Sequence, residues 1–265
     1  MSDAMTTWGV GDYPLMAERL LPAAREVVDA ASIVPADRVL DVATGTGNAA
    51  LLAVECGGQV VGVDIEPVLL RVAEQRALQI GSAVRWLRGE LDHLPVPDES
   101  NDVVLSVFGV MYANDHAAAA RELERVTAPR GRIVLASWLP GSVVPAMGQV
   151  LSDYVPTPPA GSEPPSRWGS AEVVQTLLSD CGLRLTTSSA RSVTLTFPDA
   201  VTGADFLIAT AGHVINQRQR LIGIGLWDEL HRKLAAFVHE RAVPQSDQIE
   251  LPLEYLLAVA VKNDR

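Results

Sequence analysis

Residues 39–50 read VLDVATGTGNAA, an apolar run that meets an acid at Asp41, turns through Gly45 and Gly47, and continues into small residues. The apolar run predicts a buried strand. Two glycines let the backbone approach a ligand without Cβ interference, and Ala49 and Ala50 let the next helix pack close to the sheet. A strand, a glycine turn and a helix N-terminus in that order make a cofactor loop.

The loop alone leaves the cofactor open. From Gly45 to Ala50 it satisfies the dinucleotide fingerprint G-x-G-x-x-G/A, and Asp64, closing VVGVD, stands where that fingerprint asks for a ribose acid. Asp41 argues for a different ligand. A diphosphate wants a helix N-terminus free of neighbouring negative charge, whereas an acid beside the loop complements an amino group and a sulfonium. S-adenosylmethionine carries both and no phosphate. A nicotinamide oxidoreductase, the competing reading, would need a hydride-transfer residue such as a Tyr-x-x-x-Lys pair. Four places after Tyr13, Tyr112, Tyr154 and Tyr255 stand Ala17, His116, Pro158 and Val259.

Composition narrows the partners. A chain of 265 residues with 48% apolar content can build one α/β domain with an elaboration, the preferred reading, or two small domains sharing a cleft. No apolar run is long enough for a membrane span, and the N-terminus shows no export signal, so a cytoplasmic protein with no membrane association is expected. Cys56 and Cys181 are too few for a disulfide framework or a zinc site, and no metal is expected. A net charge of −11 repels a phosphate backbone, which argues against nucleic acid and for a small, neutral or cationic, partly apolar acceptor. Composition does not separate monomer from homodimer.

Strands and helices alternate up to residue 140. Helical spacing over 13–31 precedes a strand at 38–42. Then follow helix 48–56, strand 59–64, helix 67–80, strand 84–88, strand 102–107, helix 115–127 and strand 132–138. The alternation predicts a parallel sheet with right-handed crossovers and helices on both faces. Residues 155–167 hold five prolines and predict a loop or ordered lid; 171–179 predict a short helix and 183–197 an extended segment. Two or three helices over 199–240 come before a last strand at 251–261. The expected organisation is an N-terminal flap and helix (1–35), a Rossmann-like core (36–140), a lid with an inserted helical cap (141–250) and a final core strand (251–265), one domain overall.

Four segments in order resemble the class I S-adenosylmethionine-dependent methyltransferases, most closely the ubiquinone/menaquinone type and related enzymes of bacterial secondary metabolism. They are VLDVATGTGNAA, VVGVDIEPVLL, RGELDHLPVPDESNDVV and ELERVTAPRGRIVLASW, with fainter echoes at Trp168-Gly169 and 251–261. The resemblance implies a seven-stranded, mostly parallel sheet whose last strand is antiparallel, and a helical cap inserted before that strand. It implies that Asp64 reaches both ribose hydroxyls and Asp41 the methionine part, with Ala43, Gly45, Gly47 and Ile65 lining the cofactor. Glu90 and Leu91 take the adenine positions, where aspartate is the commoner residue at Glu90 and Asp92 is the fallback. Val107 offers its carbonyl to the cofactor ammonium, and Tyr13, in a flap that begins at Trp8, stands near the methionine carboxylate. The product would be S-adenosylhomocysteine.

The acceptor site is read from residue chemistry. Trp8, Met111, Tyr112, Trp138, Trp168 and Phe206 are candidates to line it, because sulfonium and apolar acceptors both favour aromatic walls, with core packing as the alternative for each. Methyl transfer from a sulfonium needs a base only if the nucleophile must lose a proton. His213 and His116 are the candidates for that role, against a purely structural one. A protein that keeps the cofactor pocket without methylating, such as a cyclase, is the alternative function.

Overall fold

The computed structural model describes residues 8–157 and 162–264. The middle of the expected proline-rich loop and the extreme N-terminus, with its expected lack of an export signal, lie outside them. The chain divides into two compact units. One holds residues 20–140, 161–191 and 255–265, the other residues 1–19, 141–160 and 192–254.

The first unit carries the sheet. Its strands are β1 (Arg38–Val42), β2 (Gln59–Asp64), β3 (Arg85–Arg88), β4 (Asn101–Val107), β5 (Thr127–Trp138), β6 (Leu183–Phe197) and β8 (Ile249–Lys262); the ends of β6 and β8 extend into residues of the second unit, where the two-residue β7 (Val243–Pro244) pairs with β8. The order is β3-β2-β1-β4-β5-β8-β6. β1 through β5 are parallel, and β8 runs antiparallel to β5, Arg132 opposite Val261 through Trp138 opposite Tyr255. This is the Rossmann-like arrangement expected, with the antiparallel last strand.

Chain order reverses between β1 and β4. Right-handed crossovers therefore put α3 (Asn48–Glu55) and α4 (Pro67–Gln79) on one face and α5 (His116–Val126) on the other, and leave a crevice at the C-terminal ends of β1 and β4. β1 buries Val39, Leu40, Asp41 and Val42, the continuous burial of a strand covered on both faces. Helix α2 (Leu21–Ala31) lays Ala23, Ala24, Val27, Val28 and Ala31 against α3, β4 and β5. Helix α7 (Ala171–Ser179) packs on α5, its first turn capped by Ser170.

Three local expectations change. The expected helix over 13–31 is two helices, α1 (Tyr13–Arg19) and α2, because Pro22 has no N–H to donate and its ring would collide with the carbonyl of Glu18 in a continuous helix. The strand expected at 132–138 begins earlier, and β5 holds a bulge: pairing steps from Asn101 to Val103 on β4 but from Thr127 to Arg132 on β5, with Arg130 at φ 62°. Helix α6 (Val143–Leu151) was not expected; it is short and carries Pro145 and Gly148, residues that argue against a helix.

In the second unit, among the described residues, the segment expected to hold two or three helices forms four: α8 (Ala200–Thr210), α9 (Gly212–Ile215), α10 (Arg218–Gly223) and α11 (Trp227–Arg241). Asp199 caps α8 through the Thr202 N–H. Gly203 permits α8 to pack on α11, since a Cβ there would lie 2.9 Å from Val238. Tyr154 ties the start of this unit to α11 through Glu229 at 2.8 Å. No described helix is long and apolar enough to cross a membrane.

Candidate functional site

The glycine loop closes on two carboxylates. Asp41 pairs with Gly62 across the β1–β2 ladder, so Asp64, two residues further on, lies at the same edge of the sheet. Asp41 is 1% exposed. Its Oδ2 accepts the Thr44 hydroxyl at 2.6 Å and the Ala50 N–H at 3.0 Å. It thereby caps the first turn of α3, which its N-cap residue Gly47 cannot do for lack of a side chain. Loss of water pushes the Asp41 carboxyl up to about 7; the bonds from Thr44 and Ala50 oppose the rise and the charge of Asp64 adds to it.

Asp64 is nearly as buried. Its Oδ2 accepts the Gly45 N–H at 2.7 Å and its Oδ1 the Glu66 N–H at 2.9 Å. Burial raises its pKa as well, against the backbone donors of Glu66, Gly45 and Ile65. Among the described residues no group of three or more His, Cys, Asp or Glu is placed to hold a metal ion.

The backbone around these acids is left-handed at Ala43, Gly45 and Gly47, with φ of 54°, 56° and 83°. Glycine adopts this freely, whereas Ala43 pays roughly 1–2 kcal/mol for it. Phe108, just past β4, is also left-handed at φ 56°, and a Cβ on Gly109 would come within 2.4 Å of the Ala43 Cβ. The ends of β1 and β4 thus press together at the crevice. Ser106 fastens them: its hydroxyl donates to the Val42 carbonyl and accepts the Val110 N–H, both at 2.9 Å. Thr44 donates its N–H to the Val63 carbonyl at 2.9 Å, drawing the loop over β2. Asp41, Ala43, Gly45, Gly47, Asp64 and Ile65 are brought together here, with Val107 at the end of β4.

The segment after β3 lies beside Asp64, whose carbonyl accepts the Gly89 N–H at 3.1 Å. Glu90 is exposed and Leu91 and Asp92 half-buried. Residues 94–98 are held by Arg125 of α5. Its guanidinium donates to the Leu94 and Val96 carbonyls at 2.9 Å, to Asp98 at 2.7 Å, and to both oxygens of Glu122 at 2.7 Å. Glu122 in turn accepts the Leu94 N–H at 2.7 Å. Arg125 was not anticipated, because Glu and Arg three apart on a helix read as a solvated pair.

Aromatic side chains gather beyond β4 and β5. Phe108 stacks on Trp138 with centroids 3.6 Å apart and planes 6° from parallel, and Tyr255 meets Phe108 edge-on at 5.3 Å. No sequence signal marks Phe108, which lies one residue past the strand end at Val107. Desolvation pushes the Tyr112 phenol up to about 12, against a hydrogen bond with Trp138. Met111 and Trp168 are 1% exposed and pack as core. Their side chains are enclosed by neighbours.

His116 is enclosed in the same way. It has no exposed surface, sits in the first turn of α5, meets Trp168 edge-on at 5.9 Å, and places Nδ1 3.4 Å from Glu163. Burial holds its pKa below the ordinary value. His116 therefore lies within the packed interior rather than on an open face.

In the second unit, Trp8 meets Tyr13 edge-on at 6.1 Å. The segment before α1 is pinned by the Asp12 N–H on the Ala209 carbonyl at 2.9 Å and by Gly11, whose Cβ would meet Gly212 N at 2.9 Å. Phe206 packs on Phe197 at 5.4 Å, with Arg19 5.8 Å above its ring. His213 is exposed on α9, and surrounding protein lowers its pKa.

Residues 40–135, from β1 into β5, match the family described as a methyltransferase domain. The stretch from β1 into β5 is thus similar to a methyltransferase domain. An uncharacterized protein of Mycobacterium tuberculosis is 40% identical over 174 residues, 65% of this chain and 64% of that protein. The match therefore spans a little under two thirds of that relative's length. The chain is also 41% identical over 118 residues to the demethylmenaquinone methyltransferase of Thermus thermophilus, covering 44% of this chain and 54% of the relative. Among solved structures, the YcgJ protein of Bacillus subtilis superposes with a TM-score of 0.62 at 21% identity, covering 92% of this chain and 99% of the other, which is a likeness of fold.

Proposed function

We propose that the chain binds S-adenosylmethionine and transfers its methyl group to a small-molecule acceptor at oxygen, nitrogen or carbon, releasing S-adenosylhomocysteine. The observation that carries this reading is the 2.7 Å bond from the Gly45 N–H to the Asp64 carboxylate. In a dinucleotide loop that N–H is available to a diphosphate; here it is donated to one of two buried acids. A diphosphate entering the loop would meet Asp41, whereas a ligand with an ammonium, a sulfonium and a ribose is complemented by Asp41 and Asp64 together.

The cofactor supplies an electrophilic methyl group on sulfur. The chain's residues bind and orient. Asp64, fixed by Gly45 and Glu66, keeps acceptor lone pairs for the ribose hydroxyls. Asp41 lends negative charge to the amino-acid end, together with the Val107 carbonyl. Glu90 and Leu91 bracket the adenine on the segment that Arg125 holds. Proximity and exclusion of water by the Phe108–Trp138 stack account for the acceleration without a dedicated base.

The aromatic stack and the quinone-methylating relative support a planar, partly apolar acceptor, and we place the reaction in bacterial secondary metabolism. The test is incubation with methyl-labelled S-adenosylmethionine and a panel of demethylated quinols, phenols and amines. Label transfer to one class identifies the acceptor. Cofactor binding without transfer to any of them, with rearrangement of a supplied polyene, would favour the cyclase reading.

A further inference from the structure

We propose that Arg76 is a positioning residue that holds the glycine loop in its ligand-ready shape and thereby sets affinity for the cofactor; this rests on the S-adenosylmethionine reading above. Arg76 lies on α4, well away in sequence from the loop it touches. Its Nη1 donates to the Thr46 carbonyl at 2.6 Å, to the Thr46 hydroxyl at 3.1 Å and to Asn48 Oδ1 at 2.8 Å. One cation thus gathers three acceptors spanning the left-handed turn at Gly47.

The loop needs such a clamp. Its backbone is left-handed at Gly45 and Gly47, positions where glycine gives the chain many alternatives to lose. Gly47, the N-cap residue of α3, supplies no side-chain bond of its own. Trp86 supports the loop from below: a Cβ on Gly47 would lie 2.9 Å from its ring and one on Gly62 2.4 Å. Ala73, one turn before Arg76 on α4, is 3.2 Å from the same Gly47 Cβ position. Trp86 and Ala73 fill the space under the turn, and Arg76 draws the Thr46 carbonyl and the Thr46 and Asn48 side chains toward α4. With these acceptors committed to α4, none of them competes with the two acids for the ligand.

A charge-assisted bond to a carbonyl is directional, so lysine should restore part of what glutamine loses. The experiment measures S-adenosylhomocysteine binding by calorimetry, and amide exchange over residues 44–50 in the cofactor-free protein, for wild type, Arg76→Gln, Arg76→Lys, Asn48→Ala and the Arg76→Gln/Asn48→Ala pair. Arg71→Gln, on the exposed side of the same helix, controls for charge alone. Arg76→Gln is expected to weaken binding 10- to 100-fold and to speed exchange of the loop amides while those of β4 and β5 keep their protection. Arg76→Lys should recover part of the affinity, and the pair should lose less than the product of the single losses. The proposal is overturned if Arg76→Gln binds as wild type, if Arg71→Gln weakens binding equally, or if exchange rises across the whole sheet. If wild type does not bind S-adenosylhomocysteine, the cofactor reading fails and the affinity claim with it, while loop exchange in Arg76→Gln still decides whether the clamp exists.

Discussion

At the scale of single residues, Asp41 makes the sharpest prediction. Its folded-state pKa is raised to about 7, so between its unfolded value near 4 and pH 7 the folded protein binds more protons than the unfolded chain. Stability contributed by the neutral carboxyl is therefore present at low pH and lost as pH rises through 7, by an amount on the order of 4 kcal/mol. Asp41→Asn keeps an acceptor for Thr44 and Ala50 and removes the titration. Its melting temperature should equal or exceed that of wild type at pH 8, with the difference shrinking toward pH 5; a constant difference across that range would refute the assignment. Gly109 makes a second prediction. Alanine there would put a Cβ 2.4 Å from that of Ala43, so Gly109→Ala should destabilise by about 1–3 kcal/mol in urea unfolding, as overpacked sites do. An unchanged midpoint would mean that the β1 and β4 ends are not pressed together.

At the scale of elements, the Arg125 contacts imply that α5 fixes the segment after β3. Arg125→Ala leaves two carbonyls and two carboxylates without their donor, and should weaken S-adenosylhomocysteine binding several-fold while raising proteolytic cleavage within residues 89–100. Equal cleavage in variant and wild type would remove that role. Elements were legible wherever a period or a stop signal was local. β1, α3, β2 and α4 stand within a residue or so of their expected ends, because each is bounded by glycine, proline or an acid. The break between α1 and α2 was written at Pro22 and outweighed by the apolar spacing on either side. Helix α6 was hidden by Pro145 and Gly148, which read as breakers in so short a segment. The acids and glycines of the site were legible because strand-end position alone places them. Arg76, Arg125 and Phe108 were not, since each acts through contacts made by the folded chain between residues distant in sequence.

At the scale of the whole molecule, a linear reading follows the chain, but the units do not. Residues 1–19, 141–160 and 192–254 form one unit although the other unit interrupts them twice. Contacts such as Asp12 on Ala209 join positions nearly two hundred residues apart, and no local pattern announces them. The net charge of −11 speaks at this scale too. Retention on immobilised DNA at physiological salt should be nil, and salt-sensitive retention would contradict the inference drawn from charge.

The central claim is that the loop and its two acids select S-adenosylmethionine over a dinucleotide. Calorimetric titration of wild type and Asp64→Ala with S-adenosylmethionine, oxidised nicotinamide dinucleotide and reduced nicotinamide dinucleotide tests it most directly. Wild type should bind S-adenosylmethionine alone, and Asp64→Ala should lose at least tenfold in affinity, the scale of one charge-assisted bidentate contact. Binding of either nicotinamide, or undiminished S-adenosylmethionine affinity in the variant, would contradict it.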